Sequence, residues 1–122
     1  MHFSLDVNPG DVSNNGRLIP SRGRLVDSPE YRNGLRMMAW QVRSQMNEHG
    51  WKQIAARCSV SAITYWPTEA GDVDATSKAI LDCLQAGGAI VNDKQVRPLT
   101  LDRAKDKARP RVEITLTELV DG

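Results

Sequence analysis

Asp72, Asp74, Lys78, Asp82 and Asp93 are the residues whose types and spacing could do chemistry. Asp72 and Asp74 flank a strand-to-helix junction, and Asp93 falls in an Asn92-Asp93 turn pair after the next helix. Consecutive elements of a small domain usually lie side by side. The spacing therefore predicts that the three carboxylates meet at one end of a sheet. Grouped carboxylates repel one another unless a cation neutralises them. Hard oxygen ligands with water in the remaining positions suit Mg²⁺ or Mn²⁺. Lys78 follows Asp74 by four residues, which on a helix places both on one face, about 6 Å apart at Cβ. An ammonium there offsets charge that develops on a phosphoryl group in a transition state. Asp82 lies one further turn along that helix and reads as a support for Lys78 or as a cap for a buried polar group, rather than as a ligand. Plainer readings stand beside these. Asp72 or Asp74 caps the helix, Asp93 is a turn residue, and Lys78 joins a surface ion pair worth roughly 0.3–0.5 kcal/mol. Spacing alone leaves both sets open.

The elements that must position these groups follow from periodicity. His2–Asn8 alternates Phe3, Leu5 and Val7 with polar residues and reads as a strand ended by Pro9-Gly10. Residues 11–27 contain Ser13-Asn14-Asn15-Gly16 and Ser21-Arg22-Gly23-Arg24, which is turn chemistry, and read as a long loop or ragged hairpin. Ser28-Pro29 opens a helix that Gly50 closes, with Tyr31, Leu35, Met38, Val42, Met46 and His49 as its stripe. Residues 53–66 read as a strand ended by Pro67, and 72–85 as a helix with core residues Ile80, Leu81 and Leu84. Residues 95–101 and 111–119 read as the last two strands, around a basic loop at 105–110. Trp40 and Trp66 are expected to be buried. The order predicts an α+β fold, two layers deep, with two main helices packed on a mixed sheet.

The chain has 122 residues, enough for one domain (1–122) with its own core and no separate cofactor domain. No apolar run approaches the ~20 residues of a membrane helix. Met1–Asp6 lacks the basic start and apolar stretch of a signal peptide, so no membrane partner is expected. The two cysteines, Cys58 and Cys83, form no CxxC, which excludes a cysteine zinc site and predicts free thiols in a reducing cytoplasm. The net charge of +1 hides a segregation. Residues 1–57 carry eight Lys/Arg against five acids, 58–93 one against five, and 94–111 seven against two. Basic flanks around an acidic block can attract a polyanion.

The run from Asp72 to Leu84, DVDATSKAILDCL, followed by Asn92-Asp93-Lys94-Gln95-Val96, resembles the signature of the RusA-type Holliday junction resolvases. That pattern is D-x-D-N-x-x-K-x-x-x-D-x-L, then D-D-x-Q-V. Pro9–Asn15, Arg22-Gly23-Arg24 and the closing Val112–Leu119 are similar to further segments of the family, so the likeness spans nearly the whole chain. It implies a homodimeric endonuclease, of bacterial or prophage origin, that cuts two strands of branched double-stranded DNA symmetrically at a four-way junction. The setting it implies is DNA recombination and repair, in the cytoplasm of a bacterial or phage-infected cell. Mg²⁺ is the implied cofactor, with Mn²⁺ as a substitute. The catalytic and metal-ligating acids then fall on Asp72, Asp74 and Asp93, and the catalytic lysine on Lys78. Three positions depart from the pattern. Ala75 replaces the Asn after the second Asp, Asn92 replaces the first acid of the later pair, and the loop Thr68-Glu69-Ala70-Gly71 lacks the family's usual arginines. DNA contacts are therefore assigned to Asn14, Asn15, Arg17, Arg22, Arg24, Lys94, Arg97, Lys105, Lys107 and Arg109. The departures also motivate an alternative, a junction-binding dimer that cleaves weakly or not at all. A small phosphate-ester hydrolase is the third reading, and it lacks a Gly-rich phosphate loop.

Overall fold

The computed structural model describes residues 1–120. The chain runs β1 (His2–Asp6), β2 (Leu18–Ser21), β3 (Arg24–Asp27), α1 (Pro29–His49), β4 (Cys58–Trp66), α2 (Ser77–Ala86), β5 (Val96–Lys105) and β6 (Arg111–Glu118), with short 3-10 turns at Pro9–Val12, Asn14–Gly16 and Asp93–Gln95. Four strands form a mixed sheet in the order β1-β6-β4-β5, and β2 with β3 forms a separate ribbon. This is the expected α+β architecture, with the loop-or-hairpin at 11–27 resolved as a hairpin.

Alternation decides which sheet face is covered. Cys58, Val60, Ala62, Thr64 and Trp66 of β4 are buried, as are Val112, Ile114 and Leu116 of β6 and Phe3 and Leu5 of β1. The intervening Ser61, Thr115 and Thr117 are exposed, so one face packs under the helices and the other meets water. On α1, Tyr31, Met38, Val42 and Met46 form the buried stripe. Its ends are those the sequence indicates. The Ser28 hydroxyl accepts from the Tyr31 amide at 3.2 Å, and Gly50 closes the helix at φ 67°. Gly87 lets α1 and α2 close together, since a Cβ there would sit 2.7 Å from Val42 and 2.8 Å from the Ala39 carbonyl.

Several expectations need correction. Trp66 is buried but Trp40 is 70% exposed. Trp40 lies two residues from both Met38 and Val42, which turns it about 160–200° away from the stripe. Leu81 is only half-buried, while Ala79 and Cys83 join Ile80 and Leu84 inside. β4 starts at Cys58 rather than residue 53, with Ile54 making an isolated bridge to Ile90. α2 starts at Ser77, not Asp72. β5 continues to Lys105, four residues beyond the expected end, in parallel register with β4.

Candidate active site

After Trp66 the chain makes a turn that carries Asp72 and Asp74 before α2 begins. Two backbone bonds curl it, Ala75 amide to Asp72 carbonyl at 3.3 Å and Ser77 amide to Asp74 carbonyl at 3.2 Å. Two longer-range ties fix it. The Asn14 amide donates to the Ala75 carbonyl at 2.7 Å, and the buried hydroxyls of Thr64 and Thr76 meet at 2.8 Å. Underneath, Gly71 lies against the Trp66 indole so closely that a Cβ would come within 2.0 Å of the ring. The side chains of Asp72 and Asp74 are exposed and hold no hydrogen bond or ion pair among the described residues. Neither therefore caps α2, whose N-cap is Thr76 without a side-chain cap bond. Asp72 borders a cleft of about 300 Å³ between this turn and residues 8–16, with Asn15 on its other wall. Ala75 is buried and its Cβ faces protein, so an Asn there would need an internal partner.

Lys78 does not pair with Asp74, because Asp74 precedes the helix. Its ammonium instead reaches Asp82 at 2.9 Å, and the Tyr31 hydroxyl donates to the same carboxylate oxygen at 3.4 Å. Burial and then the Asp82 charge push the Tyr31 phenol far above its ordinary pKa, so it stays a donor. Asp82 thus holds Lys78 from behind while leaving the ammonium half-exposed.

Asp93 lies elsewhere. Its amide donates to the Gln85 side chain at 3.3 Å, near the far end of α2. About 12 Å of helix rise separates Gln85 from Ser77. The topology requires this. Asp72 and Asp74 follow the C-terminal end of β4, whereas Asp93 precedes the N-terminal end of β5, and the two strands are parallel. The expectation that all three acids meet at one end of the sheet is not met within one chain. Among the described residues no three His, Cys, Asp or Glu side chains are grouped to hold a metal ion. Asn92 has a local role, for its side chain accepts from the Lys94 amide at 2.9 Å while Gln95 accepts from the Asn92 amide at 3.0 Å. Beside Asp93 opens a cleft of about 380 Å³ lined by Arg57, Lys94, Gln95 and Arg97.

The remaining expected DNA-binding residues divide by partner. Arg17 is engaged with Asp27 at 2.8 Å, and Arg109 with Asp6 at 3.3 Å and Ser4 at 3.1 Å. Arg22, Arg24, Lys94, Arg97, Lys105 and Lys107 are exposed and have no acidic partner among the described residues. Arg22 and Arg24 sit at and beside the tip of the β2–β3 ribbon. Asn14 and Asn15 are exposed at the cleft side. Two further cations lie outside the set of residues assigned to DNA. Arg57 lines the cleft near Asp93, and Arg103 reaches the 68–71 loop, its Nη1 3.7 Å from Glu69 and its Nη2 3.4 Å from the Thr68 carbonyl. Extending the alternation of Leu99 and Leu101 by one step would have placed Arg103 on the inner face.

A family model described as endodeoxyribonuclease RusA matches residues 9–117. No curated protein matches the chain. No helix among the described residues is long and apolar enough to cross a membrane.

Proposed function

The chain belongs to the endodeoxyribonuclease RusA family, and from that premise we propose that it resolves four-way DNA junctions by paired, Mg²⁺-dependent cleavage of two strands. The observation that carries this reading is the Asp72–Asp74 turn. Two exposed carboxylates, spent on no protein partner among the described residues, sit on a turn tied to the N-terminal segment and to β4, with Lys78 in the next helix turn. Their oxygens fit a hard divalent cation in chemistry. Asp72, Asp74 and an Asp93 would hold it, and when bound it would activate a water and screen charge on phosphorus.

The chain's own residues do the rest. Asp82 and Tyr31 fix Lys78, whose ammonium neutralises charge on the scissile phosphate. Lys94, Arg97 and Arg57 give the DNA backbone a cationic track beside Asp93. Asp93 lies at the opposite end of α2 from the other two acids, so the reading includes a symmetric pair of chains in which Asp93 of one copy completes the Asp72–Asp74 turn of the other.

The test is a purified protein, a synthetic four-way junction and Mg²⁺. Paired nicks are expected, lost in Asp74→Asn, Asp93→Asn and Lys78→Ala. Mixing the two inactive aspartate variants should restore nicking, because a mixed pair regains one complete site. Sites built within single chains would stay dead on mixing. Wild-type cleavage undiminished by these substitutions would refute the assignment.

The buried Ala75, at a position where the family carries an amide, favours one second reading, a pair that binds junctions and cleaves poorly. It predicts salt-sensitive binding with no nicks at any Mg²⁺ or Mn²⁺ concentration.

A further inference from the structure

We propose that Arg103 forms a phosphodiester-binding subsite beside Asp72, supplying from β5 the positive charge that the Thr68–Gly71 loop does not carry. The subsite deepens the nuclease reading above and rests on it. In the β4–β5 register Arg103 stands opposite Thr64 and Lys105 opposite Trp66. Arg103 therefore shares the inner face with Thr64 and Trp66 and projects under the loop that leads into Asp72.

Its guanidinium is poorly satisfied there. A guanidinium offers five N–H donors and no acceptor. Charge-assisted bonds to carboxylates normally close to about 2.7–2.9 Å. Among the described residues the Arg103 guanidinium holds only the Thr68 carbonyl at 3.4 Å and the Glu69 carboxylate at 3.7 Å. Its Nε is buried and has no acceptor among the described residues. Other half-buried arginines of this chain do better. Arg17 reaches Asp27 at 2.8 Å, and Arg111 holds Asp106 at 2.8 Å and Glu113 at 3.1 Å while stacking 3.8 Å from the Tyr65 ring centroid.

A second observation points the same way. The other buried side-chain donor without a partner among the described residues is Trp66 Nε1. Trp66 and Arg103 are near neighbours on adjacent strands, and both border the same loop. Two orphaned donors with no orphaned acceptor among the described residues call for a ligand that only accepts hydrogen bonds, and a phosphodiester does so while carrying a negative charge that can come closer to Arg103 than the Glu69 carboxylate at 3.7 Å. Glu69 is the removable partner, since its side chain is 75% exposed and its contact is long. On binding DNA, Arg103 exchanges Glu69 for a phosphate oxygen next to the Asp72–Asp74 turn.

The test measures binding of the full-length protein to a synthetic four-way junction without divalent metal, across a series of salt concentrations. Arg103→Ala should weaken binding about tenfold and lower the slope of log K against log salt by roughly 0.9, the loss of one phosphate contact. Arg103→Gln serves as the second neutral variant should the alanine protein misfold, with Tm checked for both. Glu69→Gln should tighten binding severalfold at low salt, because it removes the competitor. A purely structural ion pair predicts the reverse for Glu69→Gln, weaker binding or none. An unchanged salt slope in the folded Arg103 variants, or weakened binding by Glu69→Gln, overturns the subsite while leaving the nuclease reading intact. Absence of junction binding by the unaltered protein overturns both.

Discussion

Gly71→Ala tests whether the support of the Asp72–Asp74 turn is as close-packed as described. The added Cβ would lie 2.0, 2.1 and 2.5 Å from three atoms of the Trp66 indole, where ordinary contact is 3.4–4 Å. Relief needs a displacement of about 1.4 Å. The indole cannot easily supply it, being 7% exposed at the end of a central strand. The loop must move instead, and Asp72 is its next residue. Overpacking of this kind costs about 1–3 kcal/mol. With about 2.1 cal/mol/K per residue for the unfolding entropy, a chain of this length loses roughly 4 °C per kcal/mol, so Tm should fall by roughly 4–12 °C. A catalytic group misplaced by about 1 Å can cost ~100-fold in rate. Thermal unfolding followed by circular dichroism gives the first number, and the junction nicking rate at a temperature where the variant is folded gives the second. Trp66→Leu in the same chain removes the opposing ring, and the double variant should recover part of both losses beyond additivity. A Gly71→Ala protein with wild-type Tm and nicking would refute the reasoning.

Three other outcomes are expected. Thr64→Val or Thr76→Val alone leaves one buried hydroxyl unpaired and should cost about 1–3 kcal/mol by urea unfolding, whereas the double replacement should cost less than the sum. The Arg111 hydrogen bond holds Asp106 below the ordinary carboxylate range. Its contribution is present above about pH 4 and lost as pH falls through the lowered value, so Tm of Asp106→Asn should decline less steeply below pH 4 than that of the parent; coincident curves would count against the pair. Burial pushes both the Cys58 and Cys83 thiols up, so neither should react with Ellman's reagent until the protein is unfolded, and a rapidly titrating thiol in the native state would contradict this.

Much of the architecture was legible because local chemistry and burial agree. Ser28-Pro29 and Gly50 mark the ends of α1, and alternation in Phe3–Val7 and Val112–Leu116 marks strands that bury one face. Trp40 was misplaced because its size suggested burial while its position on the helix put it opposite the stripe. The start of α2 was misjudged because Asp72 and Asp74 are good capping residues by type. In the folded chain neither aspartate caps it, and the Thr76 hydroxyl turns inward to Thr64 instead. The wrong expectation with most consequence was that adjacency in sequence gathers Asp93 with the other acids. A strand, a crossover helix and a parallel strand necessarily place the exit of the first strand and the entrance of the second at opposite ends of the sheet. That rule was available from the element order, once β5 was recognised as parallel to β4. The pairing of Lys78 with Asp82 was readable from the i,i+4 spacing, while the reach of Arg103 under the loop depended on how far β5 runs.

The β2–β3 ribbon has a consequence of its own. Among the described residues it belongs to no larger sheet, all four residues of β2 are exposed, and a bare pair of strands is marginal in water. What holds it is at its root, the Ser28 amide on the Arg17 carbonyl at 2.6 Å and the Arg17–Asp27 bridge. A protease with a taste for arginine should therefore clip first at Arg22-Gly23, leaving the two fragments associated through the core. The same independence makes the tip a place where a fluorophore or a short peptide tag can be grafted with little effect on melting.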